Sequence, residues 1–197
     1  MPEAEIILMR HAEKPDKDRN EIGLSPAGQP DEHALSARGW QRAGALALLL
    51  GRDSRVQVPL PAPDRILVSA FRENGGRSHR PEQTVQPLAD RLSLSLDLTW
   101  SLNQEQALAS DLRRRTGVHL VCWQHDGLPA LARAIAAPDD LTEIPETWAW
   151  PSERFDVFWL LSRASATAPW RFAQHCQCLL PGDADRPLLL SPPVNDH

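Results

Sequence analysis

The chain has 197 residues and a mass of 22.0 kDa, a size that one hydrophobic core serves, so a single domain is expected. Hydrophobic residues at 42% and charged residues at 24% exclude the disordered composition class. A formal net charge of −5 excludes any general attraction to nucleic acid or to an anionic membrane surface, so neither is an expected partner.

In chain order, the first element is a short apolar run, Ile6 to Met9, followed at once by Arg10 and His11. It reads as a buried strand and is too short for a signal peptide core or a membrane span. A helix is predicted to open at Ser36 as N-cap, to carry Trp40, Ala43, Ala47 and Leu50 on one side, and to stop at Gly51. Ile66 to Val68 reads as the second strand, and the polar loop from Arg72 to His79 follows it. The next helix has Pro81 in its first turn and Val85, Leu88, Ala89 and Leu92 on one face, with Pro87 expected to kink or shorten it. A third helix is expected from Asn103 to Arg115, closed by Gly117; Val118 to Trp123 is the third strand. A fourth helix begins near Pro129 with Leu131 and Ile135 four apart, and Phe155 to Leu161 is the last apolar strand. The tail from Pro181 is expected to be loosely held.

Strands alternating with helices predict a three-layer α/β/α sandwich on a mainly parallel sheet, with sites beyond the carboxyl ends of the strands. Three cysteines make no disulfide framework; Cys176 and Cys178 are expected on one face of a strand as plain thiols, since two ligands do not complete a zinc site. No run reaches the roughly 18 apolar residues of a spanning helix, so the cytoplasm is the default compartment. Trp148 and Trp150 lie in a connection that could border a pocket, whereas Trp40, Trp123 and Trp159 read as core.

The chemistry gathers at strand ends. Arg10-His11-Ala12-Glu13-Lys14 follows the first strand, Ser69 and the arginines Arg72, Arg77 and Arg80 follow the second, and His125-Asp126-Gly127 follows the third. Phosphoryl transfer needs a nucleophile, cations for the equatorial oxygens, and a proton for the leaving oxygen. A neutral imidazole serves as nucleophile near neutral pH, and arginine forks bind phosphate oxygens bidentately.

On these residues the sequence resembles the histidine phosphatase superfamily, also called the phosphoglycerate mutase-like family. Arg10-His11 after a strand matches its Arg-His-Gly or Arg-His-Ala signature. Leu35-Ser36-Ala37-Arg38-Gly39, Arg80-Pro81-Glu82-Gln83-Thr84 and His125 agree in order, over roughly residues 5 to 135. The resemblance implies that His11 is phosphorylated while Arg10, Arg80 and His125 surround the phosphate, with no metal and no cofactor. Arg72 or Arg77 remain alternatives to Arg80. His125-Asp126 looks like the His-Asp pair of the acid-phosphatase branch, which makes Asp126 the candidate acid; Lys14 stands where that branch has a third phosphate ligand. Glu13, Glu82 and Glu105 remain rival donors. The expected function is a phosphatase acting on phosphate monoesters or phosphohistidine, its substrate a phosphorylated small molecule or phosphoprotein. The alternatives are a phosphomutase and a non-catalytic phosphate-binding module. No oligomeric state follows from the sequence.

Overall fold

The computed structural model describes residues 3–51, 60–72, 78–137 and 143–190. Ten elements follow one another: β1 (Ala4–Arg10), α1 (Ala37–Leu49), β2 (Arg65–Val68), α2 (Arg80–Leu92), β3 (Leu96–Asp97), α3 (Glu105–Leu112), β4 (Gly117–Trp123), α4 (Leu128–Ala136), β5 (Val157–Arg163) and β6 (Arg171–Cys176).

The strands make one sheet in the order β3-β2-β4-β1-β5-β6. β1, β2, β3 and β4 run parallel, β5 is antiparallel to β1, and β6 is antiparallel to β5. Because side chains alternate across a strand, each apolar strand feeds two cores. Ile6, Leu8, Leu67, Val121, Trp123 and Trp159 pack with α3 and α4 on one face. Ile7, Met9, Ile66, Val68, Leu120, Cys122 and Phe158 pack with α1 and α2 on the other. The result is the expected three-layer sandwich on a mainly parallel sheet. Arg10 lies opposite Trp123 in the β1–β4 register, so His11 and the residues after β4 leave the sheet side by side.

Local differences from the sequence reading have physical causes. α2 runs through Pro87 to Leu92, because Val85, Leu88 and Ala89, all fully buried on the sheet, hold the turn together on both sides of the proline. α3 is shorter than expected, since Asn103 takes a positive φ of 73° that a helix does not admit. β5 starts at Val157, two residues late, because Phe155 turns out of the strand to cover Arg10. β3 was not legible as a strand; the strand expected at Cys176 and Cys178 is β6, but it ends at Cys176, and Cys178, with φ of 48°, lies beyond it and does not share its face. The three cysteines are free thiols. The tail expected to be loosely held from Pro181 makes specific contacts as far as residue 190: Asp183 pairs with Arg42, and Leu188 is buried against the α3–α4 core. Among the described residues no helix is long and apolar enough to cross a membrane.

Candidate active site

Hydrogen bonds at the end of β1 carry His11 into the site. Its backbone N–H donates to the Trp123 carbonyl at 3.0 Å, which continues the β1–β4 pairing one residue past the strand. The next amide, Ala12 N–H, donates to Thr84 Oγ1 on α2 at 2.8 Å, turning the chain toward the helix that bears Arg80. Gln83 on the same turn accepts the Leu35 N–H at 2.8 Å, so the Gln-Thr pair of α2 anchors both loops around the site. No role was assigned to this pair at the sequence level, although it lay within a matching motif.

The His11 ring is 5% exposed, and its Nδ1 lies 2.7 Å from the Ala12 carbonyl oxygen. A carbonyl only accepts, so Nδ1 carries the proton and the Nε2 lone pair is left available. Burial is the largest cause that pushes the His11 pKa down to about 3; the Arg10 cation adds to it, the Ala12 carbonyl opposes it, and Arg80 and His125 lower it further. His11 is therefore a neutral imidazole across the physiological range. Arg10, Arg80 and His125 thus all act on this one ring electrostatically.

Arg10 is 1% exposed. Its Nη1 donates to the carbonyls of Ser152 at 2.7 Å, Arg154 at 3.2 Å and Pro151 at 3.3 Å. Phe155 lies with its ring 3.7 Å from the guanidinium carbon and 6.2 Å from the His11 ring. Arg10 Nε is buried and has no hydrogen-bond partner among the described residues, an unmet donor beside His11. Burial lowers the Arg10 pKa to about 10 against the pull of Asp126, Glu153 and Glu13, which leaves it fully cationic.

Arg80 donates from Nε to the Ala34 carbonyl at 2.9 Å and from Nη2 to the Glu32 carbonyl at 2.5 Å, and its pKa is lowered by burial. Of the two rival arginines, Arg72 is exposed and donates to the Leu98 carbonyl at 2.9 Å, and Arg77 lies outside the described residues. His125 Nε2 is 2.7 Å from Asp126 Oδ1. Burial lowers the His125 pKa, with Arg10 and Lys14 adding to the effect and Asp126 opposing it. Lys14, an exposed side chain, stands with Arg80 and Phe155 on the wall of a cleft of about 1060 Å³ that also meets Asp31 and Glu21.

The rival carboxylates are engaged elsewhere. Glu13 is held by Arg42 and Arg38. Glu82 Oε1 accepts the Phe71 N–H, and Glu105 Oε1 accepts from Trp123 Nε1 at 2.9 Å. Trp150 belongs to the α3–α4 core and Trp148 packs against it, donating to the Leu189 carbonyl, so neither borders the described cleft. Among the described residues no group of three or more His, Cys, Asp or Glu side chains could hold a metal ion.

No family model matches the sequence, and no curated protein matches it. Solved structures do resemble it. A protein assigned as the phosphohistidine phosphatase SixA from Nakamurella multipartitia is 19% identical; the match covers 88% of this chain and 96% of that one with a TM-score of 0.51. The mycobacterial glucosyl-3-phosphoglycerate phosphatase bound to VO3 is 16% identical over 85% of this chain and 96% of that one, TM-score 0.49. A protein assigned as an α-ribazole-5′-P phosphatase of Escherichia coli is 15% identical over 86% and 95%, TM-score 0.49. The first of these likenesses, spanning nearly the whole of both chains, carries the conclusion about architecture: the chain has the phosphoglycerate mutase-like fold.

Proposed function

We propose that the protein is a phosphatase that hydrolyses phosphate monoesters or phosphohistidine through a phosphohistidine intermediate on His11. The observation that carries this reading is the His11 ring itself: its proton is fixed on Nδ1 by the Ala12 carbonyl, which leaves the Nε2 lone pair available on a ring that feels the Arg10 cation.

In the first step the Nε2 lone pair attacks phosphorus and the bond from phosphorus to the leaving oxygen breaks. Arg10, through its unmet Nε, and Arg80 neutralise the equatorial oxygens; Lys14 adds charge at the cleft wall. A phosphate dianion beside His125 offsets the repulsion from Arg10 and Lys14 and favours its imidazolium. The proton for the leaving oxygen comes from Asp126, which is bonded to His125 and open to solvent, whereas Glu13, Glu82 and Glu105 bond Arg42, the Phe71 amide and Trp123. In the second step water attacks the phosphohistidine, Asp126 takes its proton, and the electron pair of the broken P–N bond returns to Nε2. The Ala12 carbonyl stabilises the positive ring that exists between the two steps. The arginines supply the charge neutralisation that a metal would, so full activity in EDTA is expected. The fold likeness to a protein assigned as a phosphohistidine phosphatase supports a phosphorylated substrate.

His11→Ala is expected to lose at least about 10³-fold in kcat on p-nitrophenyl phosphate in EDTA. Retained activity would sink the reading. With 3-phosphoglycerate and a bisphosphate primer, the expected product is inorganic phosphate; isomerised product would show a phosphomutase instead.

A further inference from the structure

Arg42 on α1 is 1% exposed and carries two carboxylates at once. Its Nη2 reaches Glu13 Oε1 at 2.7 Å and Asp183 Oδ1 at 2.7 Å, its Nε reaches both Glu13 oxygens at 3.1 and 3.0 Å, and its Nη1 reaches Asp183 Oδ2 at 3.0 Å and Gln177 Oε1 at 2.9 Å. Arg38, one turn earlier, adds a contact of 3.2 Å to Glu13 and one of 3.4 Å to Asp183. The phosphoryl chemistry above uses none of these groups.

We propose that this cluster is the positioning device for the His11 nucleophile and that the C-terminal segment around Asp183 is thereby part of the active site. The proposal rests on the reading of His11 given above. The Ala12 carbonyl that holds the Nδ1 proton belongs to the Ala12–Glu13 peptide, which is planar, so its direction follows from how Ala12 and Glu13 are held. Ala12 is tied on its amide side to Thr84. Glu13 is tied by its carbonyl, which accepts from Ser36 N and Ser36 Oγ, and by its carboxylate, which Arg42 grips. Of the carboxylate's two arginines, Arg42 is the buried one, and Asp183 fixes where its guanidinium sits. Asp183 is fixed in turn by the amides of Leu179 and Leu180, at 2.9 and 3.0 Å. The chain of restraints runs from the C-terminal segment through Arg42 and Glu13 to the carbonyl that sets the tautomer.

Charge alone would not recommend this arrangement, because burying three charges costs free energy that apolar packing avoids. Its return is geometric. The Arg42 pKa is raised, the two carboxylates outweighing burial, and the Asp183 pKa is lowered, its bonds to Arg42 and to the two amides outweighing burial. Arg42 and Asp183 thus stay ionised and keep their directional bonds.

The test uses the full chain labelled with ¹⁵N-histidine. In the wild type, His11 is expected to show a protonated Nδ1 and an unprotonated Nε2. Folded Asp183→Asn is expected to lose about 10- to 100-fold in kcat on p-nitrophenyl phosphate with KM within about twofold, and to shift the His11 nitrogens toward mixed tautomers; Asp183→Glu is expected to recover part of both. Should Asp183→Asn fail to fold, Gln177→Leu removes only a neutral partner of Arg42 and is expected to give the same shift at smaller size. A folded Asp183→Asn with unchanged nitrogens, whatever its kcat, overturns the proposal. A wild type with the Nδ1–H tautomer but no phosphohistidine would refute the phosphatase reading and leave the positioning result standing.

Discussion

In the proposed reaction His11 faces two demands, and burial meets one and a hydrogen bond the other. A nucleophilic imidazole must be neutral at rest, and burial beside Arg10 ensures that; it must also tolerate positive charge once phosphorylated, and the Ala12 carbonyl provides for it. Asp126 presents the complementary question, since a general acid matters only when the leaving group needs a proton. Asp126→Asn is therefore expected to leave kcat on p-nitrophenyl phosphate nearly unchanged and to lower it about 10²- to 10⁴-fold on an alkyl phosphate. Equal losses on both substrates would show that Asp126 acts by another route. Arg10, His11 and His125 stood out in the sequence because they lie at the ends of apolar strands. The Arg42 cluster did not: its partners Arg42 and Asp183 stand 141 residues apart, and no local periodicity records a contact of that length. Glu13 accordingly read as a possible acid when it is an ion-pair partner.

Among the elements, α1 and α2 are the ones that place the site. Ser36 shows how local signals do this: its Oγ accepts the Gly39 N–H at 3.1 Å as N-cap and donates to the Glu13 carbonyl at 3.2 Å. Ser36→Ala is expected to destabilise the protein by about 1–2 kcal/mol in urea unfolding, more than an exposed cap would cost, because a buried carbonyl also loses a donor. A loss within error would mean that the cap contributes nothing. Gly39 sits at the same joint, where an added Cβ would meet the Glu13 carbonyl oxygen at 2.5 Å. The Ser-x-x-Gly start of α1 was readable from its cap chemistry. β3, two residues long, and β6, a half-exposed edge strand with one large apolar residue, Phe172, gave no comparable signal. The late start of β5 was hidden for another reason: Phe155 has strand propensity but is drawn out of the strand by Arg10.

Over the whole molecule, histidine burial contributes to the loss of stability in acid. His11, His119, His125 and His175 all have lowered pKa values, with burial the largest cause in each. The unfolded chain takes up these protons near pH 6.5 and the folded chain only at lower pH. The stability they contribute is thus present above about 6.5 and lost as pH falls through the folded values, about 3 in the case of His11. His11→Asn is expected to flatten the fall in unfolding free energy between pH 6.5 and pH 4, measured by urea titration at several pH values; a steeper fall would contradict the neutral, buried ring. The architecture at this scale was readable from the alternation of strands and helices, since only parallel strands with helices on both faces bury such runs twice.

The most direct test of the whole account is a rapid-quench experiment. The enzyme is mixed with ³²P-labelled phosphate monoester in EDTA, quenched in alkali, and digested for mass spectrometry. The account predicts an acid-labile phosphate on Nε2 of His11 that forms and decays within the turnover time. No labelled histidine during measurable hydrolysis, or label on any other residue, would contradict it.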